Sequence, residues 1–397
     1  MNAGKNILLL ILMLCFSFSV NAQKKTKSQL QQEKQQSVAR IKEVEKILGE
    51  TTAKKKNTLG GLSALNQRII EQQNLINSIK KEISLLNTEI RENNGIISVL
   101  DDDLNELKKE YSAMLYAAQK ASNSATRLTF LFSSQSFDQL VMRLRYMEQY
   151  GETRKLQAEL IAQVQAELGS QVKAIEGKRE EKNLLLNEGI KENSNLASLR
   201  KQQNSLVKAL EKEEKQLRHD LEETRKALAV LDRKINDIIK EEMEREALAL
   251  KSTKSVSVAL SSSFEDNKNK LPWPVSTGFI SQRFGRQNHP VLKGIITQND
   301  GVNIQTKENE KVKSVFDGEV RSVAFIPTLG STVIINHGEY YSVYTGLKEV
   351  YVKKGQRVTT SQEIGQIISN NDGISELRFQ IRKQFTALDP QAWLMNM

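Results

Sequence analysis

The sequence is poor in the residues that hold metals and disulfides: its 397 positions include three histidines and one cysteine. Cys15 lies inside an N-terminal apolar run, so a chain cut behind that run contains no cysteine and needs no disulfide. His219, His289 and His337 stand in contexts typical of a solvated helix face, a turn and a strand. The composition excludes a disulfide-stabilised scaffold and disfavours a histidine-rich metal centre.

A concentrated basic surface is also missing. Lys and Arg number 58 against 48 Asp and Glu, which gives a formal net charge of +10. The excess is spread along the chain, without a local basic cluster interleaved with aromatic residues, so nucleic-acid binding is not indicated. A mild attraction to an anionic cell-wall or membrane surface is compatible with this charge.

The N-terminus has the pattern of a secretory signal peptide. Lys5 precedes an apolar run that begins at Ile7, and Val-Asn-Ala precedes Gln23, which predicts a signal peptide over 1–22. A retained anchor is the weaker alternative because the run is shorter than the roughly 20 residues of a membrane span. Lipidation of Cys15 is weaker too, since Leu14 occupies the position of the expected small residue. Export to the periplasm or cell envelope is expected.

A seven-residue apolar repeat runs from Lys27 to about Met114, interrupted on its main position by Lys55. Such a long repeat indicates a left-handed coiled coil. A second helical tract is predicted from about Thr153 to Leu250. The simplest way to bury both apolar seams is an antiparallel hairpin over 23–252, although pairing between two chains remains an alternative. The members of the main heptad position are Ile41, Leu48, Leu62, Ile69, Ile76, Ile83, Ile90, Ile97, Leu104 and Tyr111.

The predicted tip of the hairpin, near 117–150, interleaves apolar and aromatic side chains with arginines. One interpretation is a small helical cap that closes the coil over its own core. The other is a docking surface, because aromatic residues, Met and Arg are enriched in interface cores. Both roles are compatible with each other. The candidate docking residues are Phe130, Phe132, Phe137, Leu140, Arg143 and Tyr146.

A segment rich in Ser, Lys and Asn, 253–271, separates the helical tracts from the C-terminal part. This composition is typical of a flexible tether. Its apolar residues also allow a short helix that packs against another surface. Val258, Leu260 and Phe264 are therefore candidates for a regulatory arm.

The C-terminal part, 272–397, consists of short β-branched runs separated by glycines, which predicts an antiparallel β-rich domain. The expected fold class is therefore an α+β multidomain protein, with a long coiled-coil hairpin followed by this β-rich domain. RFG at Arg283–Gly285, DGEV at Asp317–Val320, INHGEYYSVY, VKKGQRV and DPQAWL follow one another in it. In order and spacing, this segment resembles the lysostaphin-type, or LytM, peptidase domain.

The resemblance implies positions for a zinc site, and other residues occupy them. Aligned on the glycine of DGVNI, Asn299 and Asn303 stand in the first two ligand positions and Arg378 of ELRF in the third. Glu376 and Gly346 stand where the family has catalytic histidines. Amides and a permanent cation are not the imidazole, thiolate and carboxylate ligands that zinc prefers. These five residues are predicted to be partner contacts in a retained groove, with no catalytic residues and no metal or other cofactor.

A coiled coil followed by such a domain resembles the EnvC-like murein hydrolase activators. That resemblance implies a non-catalytic protein that binds N-acetylmuramoyl-L-alanine amidases and relieves their autoinhibition during septal cell-wall splitting and daughter-cell separation. It also implies recruitment of the coiled coil by an FtsE–FtsX-like division complex, and peptidoglycan is a further candidate partner.

Two other functions remain open at this point. One is a zinc endopeptidase that cleaves peptidoglycan cross-links with unconventional ligands, among which Asp300, Glu376, His289 and His337 are candidates. The other is a passive scaffold that binds the cell wall.

Overall fold

The computed structural model describes residues 26–120, 129, 131–248 and 263–395. The predicted signal peptide, Phe130, Val258 and Leu260 lie outside these ranges. Within the described ranges, the helices include none that is both long and apolar enough to span a membrane.

The predicted helical tracts are confirmed as four long helices, which are α1 (Lys27–Lys54), α2 (Leu59–Lys120), α3 (Phe137–Glu211) and α4 (Glu214–Leu248). Helix α3 begins well before Thr153. The predicted tip is therefore shorter than 117–150, and its candidates from Phe137 onward lie on the first turns of α3.

The chain divides into two compact units, and the first comprises the residues up to Gln32 with Asn77–Lys191. Within it α2 and α3 run antiparallel. Glu89 pairs with Lys178 at 3.0 Å, and Asn93 donates to Gln171 at 3.1 Å. The Tyr150 hydroxyl donates to the carbonyl oxygen of Met114 at 2.8 Å. Residue numbers rise on α2 as they fall on α3, which agrees with the predicted antiparallel coiled-coil hairpin.

The second unit comprises Glu33–Ile76 and Glu192–Met397. The break between α1 and α2 lies beside the break between α3 and α4. Helix α2 starts after Thr58, whose hydroxyl accepts from the Gly61 amide at 2.9 Å as an N-cap. The Lys55 ammonium group lies 3.1 Å from Asp372 and 3.7 Å from Glu213, which stands between α3 and α4. The hydrogen bond to Asp372 is the main cause that raises the pKa of Lys55. Lys55, which interrupts the heptads, therefore marks a real break in the coil.

The predicted β-rich domain is confirmed. The strands are β1 (Phe279–Gln282), β2 (Gly285–Asn288), β3 (Ile296–Asn299), β4 (Val302–Thr306), β5 (Lys311–Lys313), β6 (Gly318–Ile326), β7 (Gly330–Asn336), β8 (Tyr340–Val350), β9 (Arg357–Val358), β10 (Glu363–Ile367), β11 (Ser375–Lys383) and β12 (Thr386–Leu388). They form an antiparallel sheet with the central order β1-β4-β11-β8-β7-β6-β9, in which β10 pairs with β5 and β8, and β12 pairs with β11. Strands β2 and β3 form a separate hairpin.

One face of this sheet carries the main core, and that core corrects the predicted domain boundary at Pro272. Phe264 is fully buried in it, with ring centroids 4.9 Å from Tyr340 and 5.2 Å from Trp393. Leu271 forms a parallel bridge with Leu394 and is also buried. The domain thus begins before Phe264. Phe264 is a core residue of the domain rather than part of a detachable arm, because removing it would open a cavity among aromatic rings.

Candidate functional site

Strand β11 has one apolar and one polar face, since successive side chains of a strand point to opposite sides. Leu377, Phe379 and Ile381 belong to the main core. Arg378 lies on the opposite face, which we call the polar face, and its register partners are Asn303 in β4 and Thr345 in β8. The fold thereby places Asn303, Glu376 and Arg378 on the adjacent strands β4 and β11, and their role as partner contacts stays a prediction.

The side chains around Asn303 form a closed hydrogen-bond network. Asn303 Nδ2 donates to Glu376 Oε2 at 3.0 Å and to Gln282 Oε1 at 3.2 Å, and its Oδ1 accepts from Asn299 Nδ2 at 3.2 Å. Ser281 donates to Glu376 Oε1 at 2.5 Å. Asn299 Oδ1 also accepts from the Gly301 amide at 3.3 Å. Asn303 and Glu376 are therefore held in fixed orientations by polar neighbours.

Two glycines beside this network are required by close backbone approach. Gly346 has φ +104°, and a Cβ there would lie 2.6 Å from the carbonyl oxygen of Glu376. A Cβ on Gly301 would collide with the carbonyl oxygen of Phe379. The space beside Gly346 is thus already filled by the backbone of Glu376, and a side chain at position 346 would need that backbone to move.

Arg378 differs from the other charged residues of β11 on the polar face. The Glu376 carboxylate accepts hydrogen bonds at both oxygens, and Arg382 pairs with Asp232 at 3.2 Å. Arg378 is half-buried, and no described acidic side chain lies within ion-pair distance of it. The middle of the polar face therefore carries a cation without a counter-charge among the described residues.

Helix α1 packs against one end of the polar face. Val44 and Ile47 cluster with Phe279, and the Glu43 carboxylate accepts from the Gly278 amide at 2.6 Å. Gln305, which follows Asn303 on the same face of β4, donates to the Thr51 hydroxyl at 3.3 Å. This end of the sheet is covered by the chain's own helix.

Helix α4 packs against the other end. Its buried residues Leu231 and Ile235 cluster with Ile334, Tyr341 and Val343 of the sheet. The coiled-coil seam predicted along α4 is therefore corrected in this stretch, where the sheet buries it. An apolar stripe with helical period specifies that a face is buried but not which element covers it.

The ion pair between Asp232 and Arg382 lies at the edge of the α4 contact. Burial is the main cause that raises the pKa of the Asp232 carboxyl group; the nearby Asp300 raises it further, and Arg382 opposes the shift. On the same helix, the buried Glu242 pairs with Arg321 at 2.7 Å. Asn303 and Arg378 thus lie between two surfaces that the helices of this unit already occupy.

Three residues of the site were missed in the sequence. Ser281 and Gln282 belong to the network, and Gln305 is the contact with α1. The two-residue period of β4 from Asn303 could have identified Gln305. No local signal indicates Ser281 or Gln282, because their role depends on the pairing of β1 with β4 across the sheet.

The tip candidates among the described residues belong to the first unit, and their aromatic side chains face solvent. Phe132 and Phe137 are 77% and 78% exposed, and Tyr146 is exposed as well. Leu140 and Arg143 are half-buried, and Arg143 donates to the Ser133 hydroxyl at 2.7 Å. Exposed aromatic side chains are typical of interaction sites, and docking at this tip stays a prediction.

The histidines of the β domain have structural partners. His289 Nδ1 accepts from the amides of Val291 and Leu292, and burial lowers the pKa of His289. His337 is fully buried, with 2.7 Å contacts to the Asp317 carbonyl oxygen and the Ser342 hydroxyl, and burial lowers its pKa to about 4. Both are engaged in local hydrogen bonding.

The donor set of the site does not fit zinc. Among the described residues, no three His, Cys, Asp or Glu side chains gather into a cluster that could hold a metal. The site offers amide oxygens, one carboxylate that already accepts two hydrogen bonds, and an adjacent guanidinium group. Zinc sites use imidazole, thiolate or carboxylate ligands, with about three from the protein in catalytic sites.

Comparison with known families identifies the C-terminal domain. Residues 297–390 match Peptidase family M23. The β domain is a peptidase family M23 domain. The matched range includes Asn299, Asn303, Gly346, Glu376 and Arg378, so the site lies inside the part of the chain on which the family assignment rests.

Three curated relatives are similar to parts of the chain. The murein hydrolase activator EnvC of Escherichia coli is 30% identical over 176 residues, which are 43% of this chain and 39% of that protein. The peptidoglycan DD-endopeptidase ShyA of Vibrio cholerae is 34% identical over 102 residues, 25% of this chain and 22% of ShyA. The uncharacterized protein NMB1333 of Neisseria meningitidis is 38% identical over 84 residues, 21% of this chain and 14% of that protein. The chain thus spans less than half of the length of each relative.

Proposed function

We propose that the protein is a non-catalytic activator of peptidoglycan amidases, the N-acetylmuramoyl-L-alanine amidases, in septal cell-wall splitting. The observation that carries this proposal is the site itself. An M23 scaffold holds two asparagines in a closed polar network with Glu376, beside an arginine that has no described counter-charge. This arrangement is suited to holding a partner, and its amides and guanidinium group differ from the imidazole, thiolate and carboxylate ligands of zinc.

The similarity to EnvC supports the same function. The alignment with that murein hydrolase activator spans 176 residues, which is more than the β domain contains, so it extends into the helical part of the chain.

In the proposed mechanism, an amidase segment and the chain's predicted regulatory arm compete for the polar face. An amidase segment binds between the surfaces covered by α1 and α4 and is thereby withdrawn from the amidase active site. We propose that the predicted regulatory arm, whose residues Val258 and Leu260 lie outside the described residues, competes with that amidase segment. A switch from mostly closed to mostly open requires a differential binding free energy of about 5.5 kcal/mol. Apolar contacts and a few charged pairs are sufficient for that amount.

The proposed cellular setting has two parts. The signal peptide over 1–22 directs the chain to the periplasm or cell envelope. The exposed tip, with Phe132 and Phe137, docks on an FtsE–FtsX-like division complex. Peptidoglycan itself is a further proposed partner, to which the net positive charge contributes attraction.

The test combines the purified chain with amidases of the same organism and dye-labelled sacculi. The expected result is release of dye only when chain and amidase are present together, without zinc in the isolated chain. A chain that releases dye unaided, and holds stoichiometric zinc, would contradict the proposal. Binding to sacculi with no effect on any amidase would instead indicate a passive wall-binding scaffold.

The similarity to ShyA favours one alternative, a peptidoglycan endopeptidase. Such an enzyme would need ligands other than the residues in the family positions. His337 is poorly suited, because it is fully buried and both of its ring nitrogens make local contacts. His289 uses Nδ1 locally, and among the described residues it belongs to no cluster of three side chains that could hold a metal. Cleavage of purified cross-linked muropeptides that is abolished by a chelator and restored by zinc would establish this alternative.

A further inference from the structure

We propose that the outer edge of β6 is a self-association surface, at which two copies of the chain pair antiparallel about a two-fold axis at Ala324. Such pairing joins the sheets of two β domains into one continuous sheet. The inference does not depend on the proposed amidase function. It rests on an open stretch of strand, on exposed apolar side chains along that stretch, and on a charge pattern that permits self-pairing.

The outer edge of β6 is open over most of its length. Strand β6 (Gly318–Ile326) pairs with β7 along one side, whereas β9 covers only its first two residues on the other side. Val320 still exchanges backbone hydrogen bonds there with Gly355 and Gln356. Within the described ranges, no strand pairs with the outer side of β6 beyond Val320. An unpaired strand edge is a template for another strand.

A bulge determines which residues of this edge direct their backbone groups outward. The register with β7 shifts between Val320 and Ser322, so the alternation of inward and outward backbone groups shifts there by one residue. Val320 bonds outward before the shift, and therefore Val323 and Phe325 direct their N–H and C=O groups to the open side after it. Antiparallel strands exchange hydrogen bonds between such residues in opposed pairs. Two copies that place Val323 opposite Phe325 satisfy this requirement on both sides of the axis.

The same two residues present apolar side chains to solvent. Phe325 is 68% exposed, and Val323 is exposed as well. Helix α4 packs on the other face of β6, against the buried Ile326, and leaves both side chains uncovered. In the proposed register each Val323 lies opposite Phe325 of the other copy. Pairs of an aromatic and a β-branched residue stabilise antiparallel strands, and the two-fold symmetry forms this pair twice.

The charges near this edge do not oppose self-pairing. Ser322–Ile326 contains no charged residue, and Pro327 lies beyond the end of the strand, so the stretch lacks the Lys and Pro that commonly protect edge strands. Arg321 is already paired with Glu319 and Glu242 of the same chain. In the proposed register the two Arg321 residues lie about 20 Å apart along the strands. A second copy therefore meets an uncharged, complementary edge, whereas a charged peptide would find no counter-charge on it.

Sedimentation of the purified chain over a range of concentrations tests the proposal. The variants are Val323→Lys and Phe325→Lys, and Phe325→Ser serves if a charge at this position disturbs the fold. The matched control is Phe385→Lys, which replaces an exposed aromatic residue between β11 and β12 of the same domain. Unchanged circular dichroism and melting temperature select the variants that fold. Because all the replaced side chains are exposed, the substitutions spare the core.

We expect the unmodified chain to show a concentration-dependent equilibrium between monomer and dimer. Phe325→Lys should raise the dissociation constant at least about tenfold, which corresponds to about 1.4 kcal/mol. The reason is that it removes an apolar contact twice and brings an unpaired charge into the interface. Val323→Lys should act in the same direction, and Phe385→Lys should leave the equilibrium unchanged.

Cysteine cross-linking tests the register. In a Cys15→Ser background, oxidation of a mixture of Val323→Cys and Phe325→Cys chains should link the two variants to each other. Each variant alone should cross-link far less, because like positions then lie on a diagonal of about 7–8 Å between the strands, which is too long for an unstrained disulfide.

Three results would overturn the inference. A monomer at every concentration would show that the edge does not bind a second copy and would leave it to a strand of another protein. A dimer that Phe325→Lys leaves intact would place the interface elsewhere, for example on the helices. A mixture that cross-links no better than the single variants would refute the two-fold axis at Ala324.

Discussion

His337 makes the β domain sensitive to acid. The imidazole is fully buried, and burial holds its pKa at about 4, below the ordinary 6.5. The unfolded chain therefore binds a proton that the folded domain rejects once the pH falls below about 6.5. Stability that is fully present above pH 6.5 is lost as the pH falls toward 4. We expect His337 to contribute a loss of about 3 kcal/mol in the free energy of unfolding over this window.

Denaturant unfolding at several pH values measures this loss. His337→Asn retains a side-chain N–H that can donate to the Asp317 carbonyl oxygen but cannot titrate. It should lower stability at neutral pH and flatten the pH dependence between 6.5 and 4. An equally steep profile in His337→Asn would show that other groups cause the acid sensitivity.

A substitution at Gly346 tests whether the close approach of the Glu376 backbone requires glycine there. Gly346→Ala places a methyl group 2.6 Å from the Glu376 carbonyl oxygen at a backbone angle of φ +104°. We expect a loss of about 1–3 kcal/mol in the free energy of unfolding, because a non-glycine residue in this region is strained and the contact requires the strands to shift. Gly355→Ala, which also has positive φ but meets no atom within 4 Å, separates the strain from the steric contact.

At the residue scale, the sequence indicated candidate positions but not how their side chains interact. The motifs DGVNI and ELRF indicated Asn303 and Arg378, and the pairing of β4 with β11 makes these two residues register partners. The bond from Ser281 to Glu376 depends on a partner 95 residues away in the chain, which no local pattern encodes.

The packing of helix α4 against the sheet can be tested by substitution, because the helix carries both buried and exposed apolar residues. Ile235 is fully buried against the sheet, whereas Val230 on the same helix is 40% exposed. Ile235→Ala should lower the free energy of unfolding by about 2–5 kcal/mol, through lost apolar burial and the cavity left behind. Val230→Ala should change it by less than about 0.5 kcal/mol.

Urea denaturation and hydrogen exchange of the α4 amides measure both variants. Exchange should accelerate in α4 for Ile235→Ala and stay unchanged for Val230→Ala. Equal effects of the two substitutions would show that α4 is not held by the sheet. If α4 restrains the polar face, Ile235→Ala should also raise amidase activation.

The heptads predicted the helices reliably because the repeat is long, and the interruption at Lys55 indicated a break. The partner of each apolar stripe could not be predicted in the same way. Leu231 and Ile235 fit the coiled-coil period equally well whether they face another helix or the sheet, and only the fold distinguishes the two.

At the scale of the whole molecule, the domain boundary determines which fragment can be studied alone. A fragment 273–397 lacks Phe264 and Leu271, which are both buried in the core of the β domain, whereas 263–397 retains them. We expect the shorter fragment to melt at a clearly lower temperature, since removing each buried side chain costs about 2–5 kcal/mol. Thermal denaturation of the two fragments checks this, and equal melting temperatures would contradict the assigned boundary.

The sequence predicted that the β domain starts at Pro272, after the buried Phe264, and this error has a physical reason. The stretch before Pro272 is rich in polar residues, and a single phenylalanine carries little weight in a composition argument. Its burial follows from the aromatic residues Tyr340 and Trp393, which lie far along the chain and create the pocket that Phe264 fills.

The contact of Lys55 with Asp372 connects the break between α1 and α2 with the segment just before β11. Asp372 stands three residues before the start of β11 at Ser375, the strand that carries Glu376 and Arg378. A load applied along α1 therefore has a route to the site strand through a few covalent bonds and one ion pair, in addition to the contacts of α1 with β1 and β4. Because that ion pair is partly exposed, added salt should soften the connection while the sheet itself stays intact.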